Sequence, residues 1–140
     1  MLFRSLLSSD KRGRVIVKSF VTELYAYSGA ADVVVTRAGA TNLAEFAIQQ
    51  KACIVVPNPL LTGGHQVKNA QYLAEQQAVL CVTEAQLTKE PRAMEQAVRN
   101  LLDNAKEREA MGQRFGTFAR ADAAKVLAML LLEQAKQHAP

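Results

Sequence analysis

The stretch from residue 31 to residue 46 places a strand, a small-residue turn and the start of a helix in direct succession. Val33 to Val35 is a run of β-branched residues, which is typical of a strand buried on both faces of a sheet. Ala38 to Ala40 forms a turn of small residues, and the apolar spacing that follows predicts a helix beginning at about Thr41. A helix start directs unbonded backbone N–H groups outward, so this order of elements suits an anion or a polar sugar.

The rest of the chain alternates strand-like and helical segments. Apolar runs predict strands at residues 15–17, 33–36, 53–56 and 78–82. Periodic apolar residues predict helices at about residues 23–28, 41–50, 66–76, 83–88, 91–103, 105–113 and 119–137. Apolar strands that alternate with helices indicate an α/β fold, with a parallel sheet of about four strands covered by helices on both faces.

Three segments are expected to meet at one edge of this sheet. Phe20, the turn and helix start at residues 38–45, and the loop at residues 57–66 each follow the carboxyl end of a predicted strand. Ligands of open parallel sheets bind beyond the carboxyl ends of the strands. The sequence therefore predicts one ligand-binding rim formed by these three segments.

The composition is that of an ordinary soluble globular domain. The chain has 140 residues, 49% hydrophobic and 21% charged, which suits one domain over residues 14–140 preceded by a poorly defined segment at residues 1–13. No apolar run approaches the roughly 20 residues needed to cross a bilayer, so we expect a cytoplasmic location. The net charge of +4 is not gathered in a basic stripe with interleaved aromatic residues, which argues against a nucleic-acid partner.

The cysteines and histidines do not form the pattern of a metal or cofactor site. Cys53 and Cys81 each lie in an apolar strand-like run, which indicates buried, reduced packing residues. His65 and His138 are far apart in the sequence, and a metal site needs more ligands at close spacing. We therefore expect neither a metal nor another cofactor.

Two ordered motifs resemble a known enzyme family. Residues 37–45, RAGATNLAE, resemble the R-x-G-A-x-T-x-x-E signature of family 28 glycosyltransferases, and residues 64–70, GHQVKNA, are similar to that family's D-H-Q-x-x-N-A motif. The resemblance runs from about Val15 to Leu127. It points to the C-terminal, sugar-nucleotide-binding domain of members that act in peptidoglycan synthesis. The first residue of the signature, Arg37, either contacts the ligand or pairs with a neighbouring carboxylate.

The resemblance assigns residues of the first motif to the donor nucleotide. It implies that Glu45 accepts hydrogen bonds from the ribose hydroxyls, and that the diphosphate meets the helix start at Gly39, Ala40, Thr41 and Asn42. Asn42 stands where the family commonly has Thr. The residue type alone leaves another interpretation of Glu45 open, that of a solvated carboxylate near the positive end of a helix dipole.

The resemblance also assigns four residues outside the first motif to the donor. Phe20 and the backbone of Val21 would lie against the uracil, and His65 and Gln66 would contact the sugar or the ribose. Gly64 stands where the family usually has Asp or Asn. Residue type alone favours a core position for Phe20. It leaves His65 as a loop histidine that covers the helix end, and Gln66 as an ordinary N-terminal helix residue.

The resemblance further implies parts that this chain is expected to lack. The family's C-terminal domain is a Rossmann-like sheet of order 3-2-1-4-5-6 in the second half of a GT-B glycosyltransferase, and the chain would supply only strands 3 to 6. The acceptor-binding N-terminal domain, which carries the catalytic histidine, would also be missing. An open strand edge beside Val33–Val35 would then favour association with another chain.

The function implied by the resemblance is that of a partial enzyme. The parent activity would be the inverting, metal-free transfer of N-acetylglucosamine from its UDP donor to a lipid-linked acceptor. We expect this chain to bind UDP-N-acetylglucosamine, to carry no catalytic residue and to be inactive alone. Its partner would be an acceptor-binding domain or subunit peripheral to the inner face of the plasma membrane. Two alternatives stay open, namely a soluble subunit of a split glycosyltransferase and a non-enzymatic interaction module that kept the fold.

Overall fold

The computed structural model describes residues 15–60 and 62–137, so the segment predicted at residues 1–13 lies outside the described residues. The strands are β1 (Val33–Thr36), β2 (Ala52–Val55) and β3 (Leu80–Cys81). The helices are α1 (Leu24–Ala30), α2 (Ala40–Ile48), α3 (His65–Glu75), α4 (Glu84–Lys89), α5 (Ala93–Asp103), α6 (Ala105–Gly116) and α7 (Ala123–Gln137). A short 3-10 helix at Thr62–Gly64 precedes α3.

The strands form a parallel sheet of order β1-β2-β3, which has three strands within the described residues. β1 pairs with β2 with Val33 opposite Ala52, and β2 pairs with β3 with Ile54 opposite Leu80. Because the strands run in one direction, their carboxyl ends meet at one edge of the sheet. The predicted α/β fold with a parallel sheet is confirmed.

The strand predicted at residues 15–17 is not formed. Ile16 is 74% exposed and Val17 is 50% exposed. A β-branched run becomes a strand only where a neighbouring strand supplies the hydrogen-bonded ladder, and the part of the chain that the structure describes offers this segment no such neighbour. Within the described residues the sheet therefore has one strand fewer than predicted, and β1 lies at its edge.

Helices cover both faces of the sheet because the side chains of β2 alternate between two buried clusters. Every residue of β2 is buried, as predicted for a strand covered on both sides. Cys53 and Val55 pack with the inner faces of α2 and α3 and with Phe115 of α6. Ala52 and Ile54 pack on the opposite face with residues of α5 and the middle of α6.

The helices α2 and α3 end in the same way. Gln50 and Gln77, each just beyond one of these helices, have a left-handed backbone with φ of 53°. The N–H groups of the residues that follow, Lys51 and Ala78, donate back to carbonyls of the last helical turn at 3.0 and 2.9 Å. Each end is a Schellman motif in which glutamine takes the position that glycine usually holds.

The last helix, α7, leaves its large apolar side chains in solvent. These side chains are 45 to 63% exposed and belong to Val126, Leu127, Met129, Leu130, Leu131 and Leu132. Such a surface is typical of a helix that packs against another element. Within residues 15–60 and 62–137, no helix has both the length and the apolar character needed to cross a membrane.

Candidate functional site

An ion pair crosses the carboxyl edge of the sheet. Nη1 of Arg37, which follows β1, lies 2.5 Å from Oε1 of Glu84, the first residue of α4. The same nitrogen donates to the carbonyl oxygen of Val56, which follows β2, at 3.4 Å. The guanidinium therefore connects the ends of the strands, and the interpretation that Arg37 pairs with a carboxylate is confirmed. A cavity of about 240 Å³ beside the pair is lined by Val35, Thr36, Arg37 and Val56.

The helix that follows β1 begins without a side-chain cap. Gly39 is the N-cap of α2 in an extended conformation, with φ −71° and ψ 130°, and no described side chain bonds to the first turn. The N–H groups of Ala40, Thr41 and Asn42 belong to that turn, where an α-helix offers them no partner of its own. A Cβ at Gly39 would meet no atom within 4 Å, so the approach is open. The helix start is therefore accessible to an anion.

Glu45 lies on the exposed side of α2, one turn beyond its start. Its carboxylate forms no hydrogen bond or ion pair within the described residues. Leu43 and Phe46 occupy the opposite, buried face of the helix. Thr41 is also exposed and lies on the same side as Glu45 because the two residues are four apart. An uncapped helix start and an unpaired carboxylate thus lie within one turn of each other.

A glutamine side chain fixes the loop that follows β2. Oε1 of Gln66 accepts a hydrogen bond from the backbone N–H of Asn58 at 3.1 Å. Oδ1 of Asn58 in turn accepts one from the N–H of Leu60 at 2.9 Å. The oxygen of Gln66 therefore has a structural role, whereas its Nε2 group has no partner in the described part of the chain.

Two glycines form a left-handed turn immediately before α3. Gly63 has φ 60° and Gly64, the N-cap of α3, has φ 74°. Glycine adopts this conformation without strain, which gives a backbone reason for glycine at residue 64. His65 begins α3 with an exposed side chain, and a Cβ at Gly63 would lie 3.7 Å from its Nε2. His65 thus lies against the loop at the sheet edge, next to Gln66.

The segment before α1 has no hydrogen bond to this edge within the described residues. Phe20 is 79% exposed, so the interpretation of Phe20 as a core residue is wrong, and Val21 is half-buried. Lys18 lies over the ring of Tyr27, 4.6 Å from its centroid, and donates to its hydroxyl. The structure thus places the starts of α2 and α3 on one edge of the sheet, and Lys18 connects the segment before α1 to Tyr27 of that helix.

Burial raises the pKa of the two thiols of the sheet, those of Cys53 and Cys81. Burial raises the pKa of Cys53 to about 12, and the nearby charge of Lys51 lowers it only in part. Burial also raises the pKa of Cys81. Both thiols are therefore protonated near neutral pH and act as packing groups. No group of His, Cys, Asp and Glu side chains in the described ranges is arranged to hold a metal ion.

Comparison with known proteins gives the family. The model of the glycosyltransferase family 28 C-terminal domain matches residues 4–127. This chain belongs to that family. The family predicted from the motifs at residues 37–45 and 64–70 is therefore confirmed.

Similar proteins share one name, UDP-N-acetylglucosamine–N-acetylmuramyl-(pentapeptide) pyrophosphoryl-undecaprenol N-acetylglucosamine transferase. The one from Anaeromyxobacter dehalogenans (strain 2CP-C) is 38% identical over 117 residues, 84% of this chain and 30% of that protein. The one from Myxococcus xanthus (strain DK1622) is 38% identical over 120 residues, 86% of this chain and 31% of that protein. The chain therefore spans less than a third of the length of these relatives.

A solved structure has the same fold as this family 28 domain. The crystal structure of Acinetobacter baumannii MurG matches with a TM-score of 0.71 and 26% sequence identity, over 81% of this chain and 32% of that chain. The Rossmann-like fold predicted for the C-terminal half of such an enzyme is confirmed.

Two groups at the edge of this family 28 domain are not indicated by either motif. Glu84 and the carbonyl of Val56 hold Arg37, and Glu84 is 47 positions away from it in the sequence. The sequence pattern closest to Glu84 is the capping box of Thr83 and Gln86, which marks the start of α4 after β3. This signal predicts where Glu84 lies, but it does not identify its partner.

Proposed function

We propose that this chain is the donor-binding part of a hexosyltransferase of peptidoglycan synthesis and that its ligand is UDP-N-acetylglucosamine. The observation that supports this most directly is the uncapped start of α2, one turn from the unpaired carboxylate of Glu45. UDP-N-acetylglucosamine and its sugar appear in the name of the matched relatives. Family membership and local geometry therefore support the same ligand.

The start of α2 would receive the charged centre of this ligand. The diphosphate would accept hydrogen bonds from the N–H groups of Ala40, Thr41 and Asn42, where the helix dipole favours negative charge. Gly39 presents no side chain to hinder its approach. Glu45 would accept hydrogen bonds from the vicinal hydroxyls of the ribose, and such bonds to a charged acceptor are among the stronger ones.

The remaining predicted residues would bind the two ends of the ligand. The free Nε2 group of Gln66 can donate to the sugar, while its oxygen keeps the loop in place through Asn58. His65 would line the sugar side of the site. Phe20 would pack against the uracil together with the backbone of Val21, because an exposed aromatic ring gains stabilisation by stacking.

Calorimetric titration with UDP-N-acetylglucosamine tests the proposal. Glu45→Gln should weaken binding about tenfold, because a hydrogen-bonded charge is lost. The matched control is Glu75→Gln, which removes an exposed helix carboxylate at the far end of α3. The proposal fails if the folded chain does not bind the nucleotide, or if both variants bind as tightly as the parent. A folded chain without binding would favour the interaction module instead.

We propose further that the chain does not transfer sugar alone. The matched relatives are named for transfer to a pyrophosphoryl-undecaprenol acceptor, and this chain corresponds to less than a third of their length. Another domain or subunit would bind the lipid-linked acceptor at the cytoplasmic face of the membrane. The exposed apolar side chains of α7 offer a surface on which such a domain or subunit could pack. They would pack against the acceptor-binding partner, and the membrane association would belong to that partner.

A reconstitution experiment tests the need for a partner. The chain alone should give no transfer to a lipid-linked acceptor, and mixing it with the separately expressed remainder of the Myxococcus xanthus relative should give measurable transfer. Leu127→Asp should abolish the restored activity but leave nucleotide binding unchanged, because Leu127 is 58% exposed on α7. Sugar transfer by the chain alone would contradict the proposal. Equal transfer activity of the mixture with and without Leu127→Asp would contradict it as well.

A further inference from the structure

The two edge strands of the described sheet differ in how they are protected from other strands. β3 has only two residues, Leu80–Cys81, and α4 begins soon after it. β1 has four residues, Val33–Thr36, and contains none of the lysines, prolines or bulges that commonly keep strand edges apart. The edge of β1 is therefore the one to which another strand can be added.

The backbone of β1 directs two of its residues away from the sheet. The carbonyl oxygen of Thr36 accepts a hydrogen bond from the N–H of Val56 at 2.8 Å, so Thr36 faces β2. Because successive residues of a strand direct their backbone groups to opposite sides, Val34 also faces β2, whereas Val33 and Val35 face the open side. The N–H and C=O groups of these two valines have no partner in the part of the chain that the structure describes.

The side chains of this edge are apolar, and the charges at its two ends already have partners. Val35 is 49% exposed. The guanidinium of Arg37, which follows β1, pairs with Glu84 of α4. Oδ1 of Asp32, which precedes β1, lies 3.8 Å from Nη2 of Arg108 of α6. Between these two ion pairs the edge presents only valines and one threonine.

We propose that β1 of a second copy of this chain pairs with this edge in an antiparallel dimer with twofold symmetry. The twofold axis passes beside Val34, which lies opposite its own copy. Val33 then lies opposite the partner's Val35, and the two residues exchange hydrogen bonds from N–H to carbonyl oxygen in both directions. Symmetry repeats this pair, so the outward-facing groups of both strands are satisfied and the exposed Val35 is covered. The two sheets join into one continuous sheet.

The occupant is a second copy because β1 is complementary to its own reversed sequence. Valines oppose valines near the axis, and one residue further out Asp32 lies opposite the partner's Thr36, which pairs a carboxylate with a hydroxyl donor. A register with the axis at Val35 would instead place Val33 opposite the partner's Arg37. The first register therefore matches both backbone and side chains, which a self-complementary interface requires.

Analytical ultracentrifugation over a range of protein concentrations tests the proposal. The parent chain should show a reversible monomer–dimer equilibrium, whereas Val35→Pro should be monomeric throughout. Proline removes the N–H of residue 35, which points away from β2, so the ladder within the chain is kept. The matched control is Val35→Thr, which keeps this N–H and a β-branched side chain and should still dimerise.

A second variant covers the case in which Val35→Pro does not fold. Val35→Lys keeps the backbone donor and places a charge at an exposed position of the edge. It should raise the dissociation constant of the dimer about tenfold, because the charge occurs at both symmetry-related positions. Circular dichroism of each variant shows whether the monomer is folded.

Amide exchange and NMR identify the edge and the register. Protection of the amides of Val33 and Val35 should rise with protein concentration, whereas the amide of Val34 is already bonded within the chain and should not change. A mixture of labelled and unlabelled chains should show an intermolecular NOE between the Hα atoms of Val34. Residues of such a non-hydrogen-bonded antiparallel pair lie closest together.

Other occupants of the surface give different results. A parent chain that stays monomeric at every concentration would overturn the proposal, and so would a dimer that persists in folded Val35→Pro. Dissociation by Leu127→Asp but not by Val35→Pro would assign the contact to α7 and overturn it. Dissociation by Ile16→Lys with no intermolecular NOE at Val34 would assign it to the exposed run before α1 and overturn it as well. Nucleotide binding is independent of these outcomes.

Discussion

Gly112 of α6 packs directly against the backbone of Gln50, the left-handed residue that ends α2. A Cβ at Gly112 would lie 2.1 Å from the carbonyl oxygen of Gln50. Gly116, one turn further along α6, instead faces the side chain of Gln50, with its Cβ position 2.8 Å from Cγ. One glycine thus contacts rigid backbone and the other contacts a flexible side chain.

Gly112→Ala should destabilise the chain by about 3 kcal/mol, because neither the helix nor the Gln50 backbone can move without disturbing the core. Gly116→Ala is the matched control and should stay within about 1 kcal/mol of the parent, because the glutamine can change rotamer and alanine favours the helix. Urea unfolding followed by circular dichroism measures both. Equal stabilities of the two variants would contradict the close packing of α6 on the end of α2.

Gln77→Gly should stabilise the fold. Gln77 has φ 53°, a conformation that glycine adopts without the steric cost of a side chain. The gain should be up to about 1 kcal/mol in the free energy of unfolding, partly offset by the greater freedom of glycine in the unfolded chain. The carbonyl of Gln77, which accepts from Nε of Arg114 at 2.7 Å, is retained. Gln76→Gly, at the preceding residue, should destabilise, and a gain there would argue against this explanation.

Stability should fall steeply in alkali because of Cys53. The unfolded thiol loses its proton near its ordinary pKa of 9.0, whereas burial raises the pKa in the folded chain to about 12. Between these values the unfolded state binds fewer protons, so stability decreases as pH rises from about 9 toward 12, by as much as about 4 kcal/mol.

Cys53→Ala is the control for this pH dependence. It should be less stable at neutral pH, because a buried group is lost, but it should lack the additional alkaline decrease. Free energies of unfolding at several pH values from 7 to 11 measure the difference between the two chains. Parallel pH profiles would contradict the assignment to Cys53, since the two chains differ only at that residue.

Gln66→Ala should loosen the loop after β2 without unfolding the domain. The substitution removes the oxygen that accepts from the N–H of Asn58 at 3.1 Å. We expect faster amide exchange at Asn58 and a cost of about 1 kcal/mol. Gln71→Ala, on an exposed position of α3, should change neither quantity. Unchanged exchange at Asn58 in Gln66→Ala would contradict the structural role of that side chain.

The sequence predicts the sheet well only where local pattern and tertiary neighbours agree. Residues 53–56 and residues 15–17 are both apolar and rich in β-branched side chains, yet only the first run forms a strand. β2 has a strand on each side and a helical layer on each face, whereas residues 15–17 have no ladder to join within the described residues. Strand propensity alone does not contain that information.

The site was predictable to the extent that it is local in the chain. The turn before α2, the uncapped helix start and the exposed Glu45 lie within one short motif, and the structure has each of them. The partner of Arg37 lies 47 positions away, so no local pattern gives it. The core position that residue type favours for Phe20 is wrong for a related reason, because an aromatic ring is buried only where neighbours exist to cover it.

An amide NMR titration of the chain with UDP-N-acetylglucosamine tests the central claim most directly. We predict chemical-shift changes at Gly39 to Asn42, at Gln66 and at Val21, and we predict that Glu45→Ala abolishes most of them. The claim would be contradicted by a well-dispersed spectrum that does not change with the nucleotide. It would be contradicted equally by shifts confined to the amino ends of the strands, far from the start of α2.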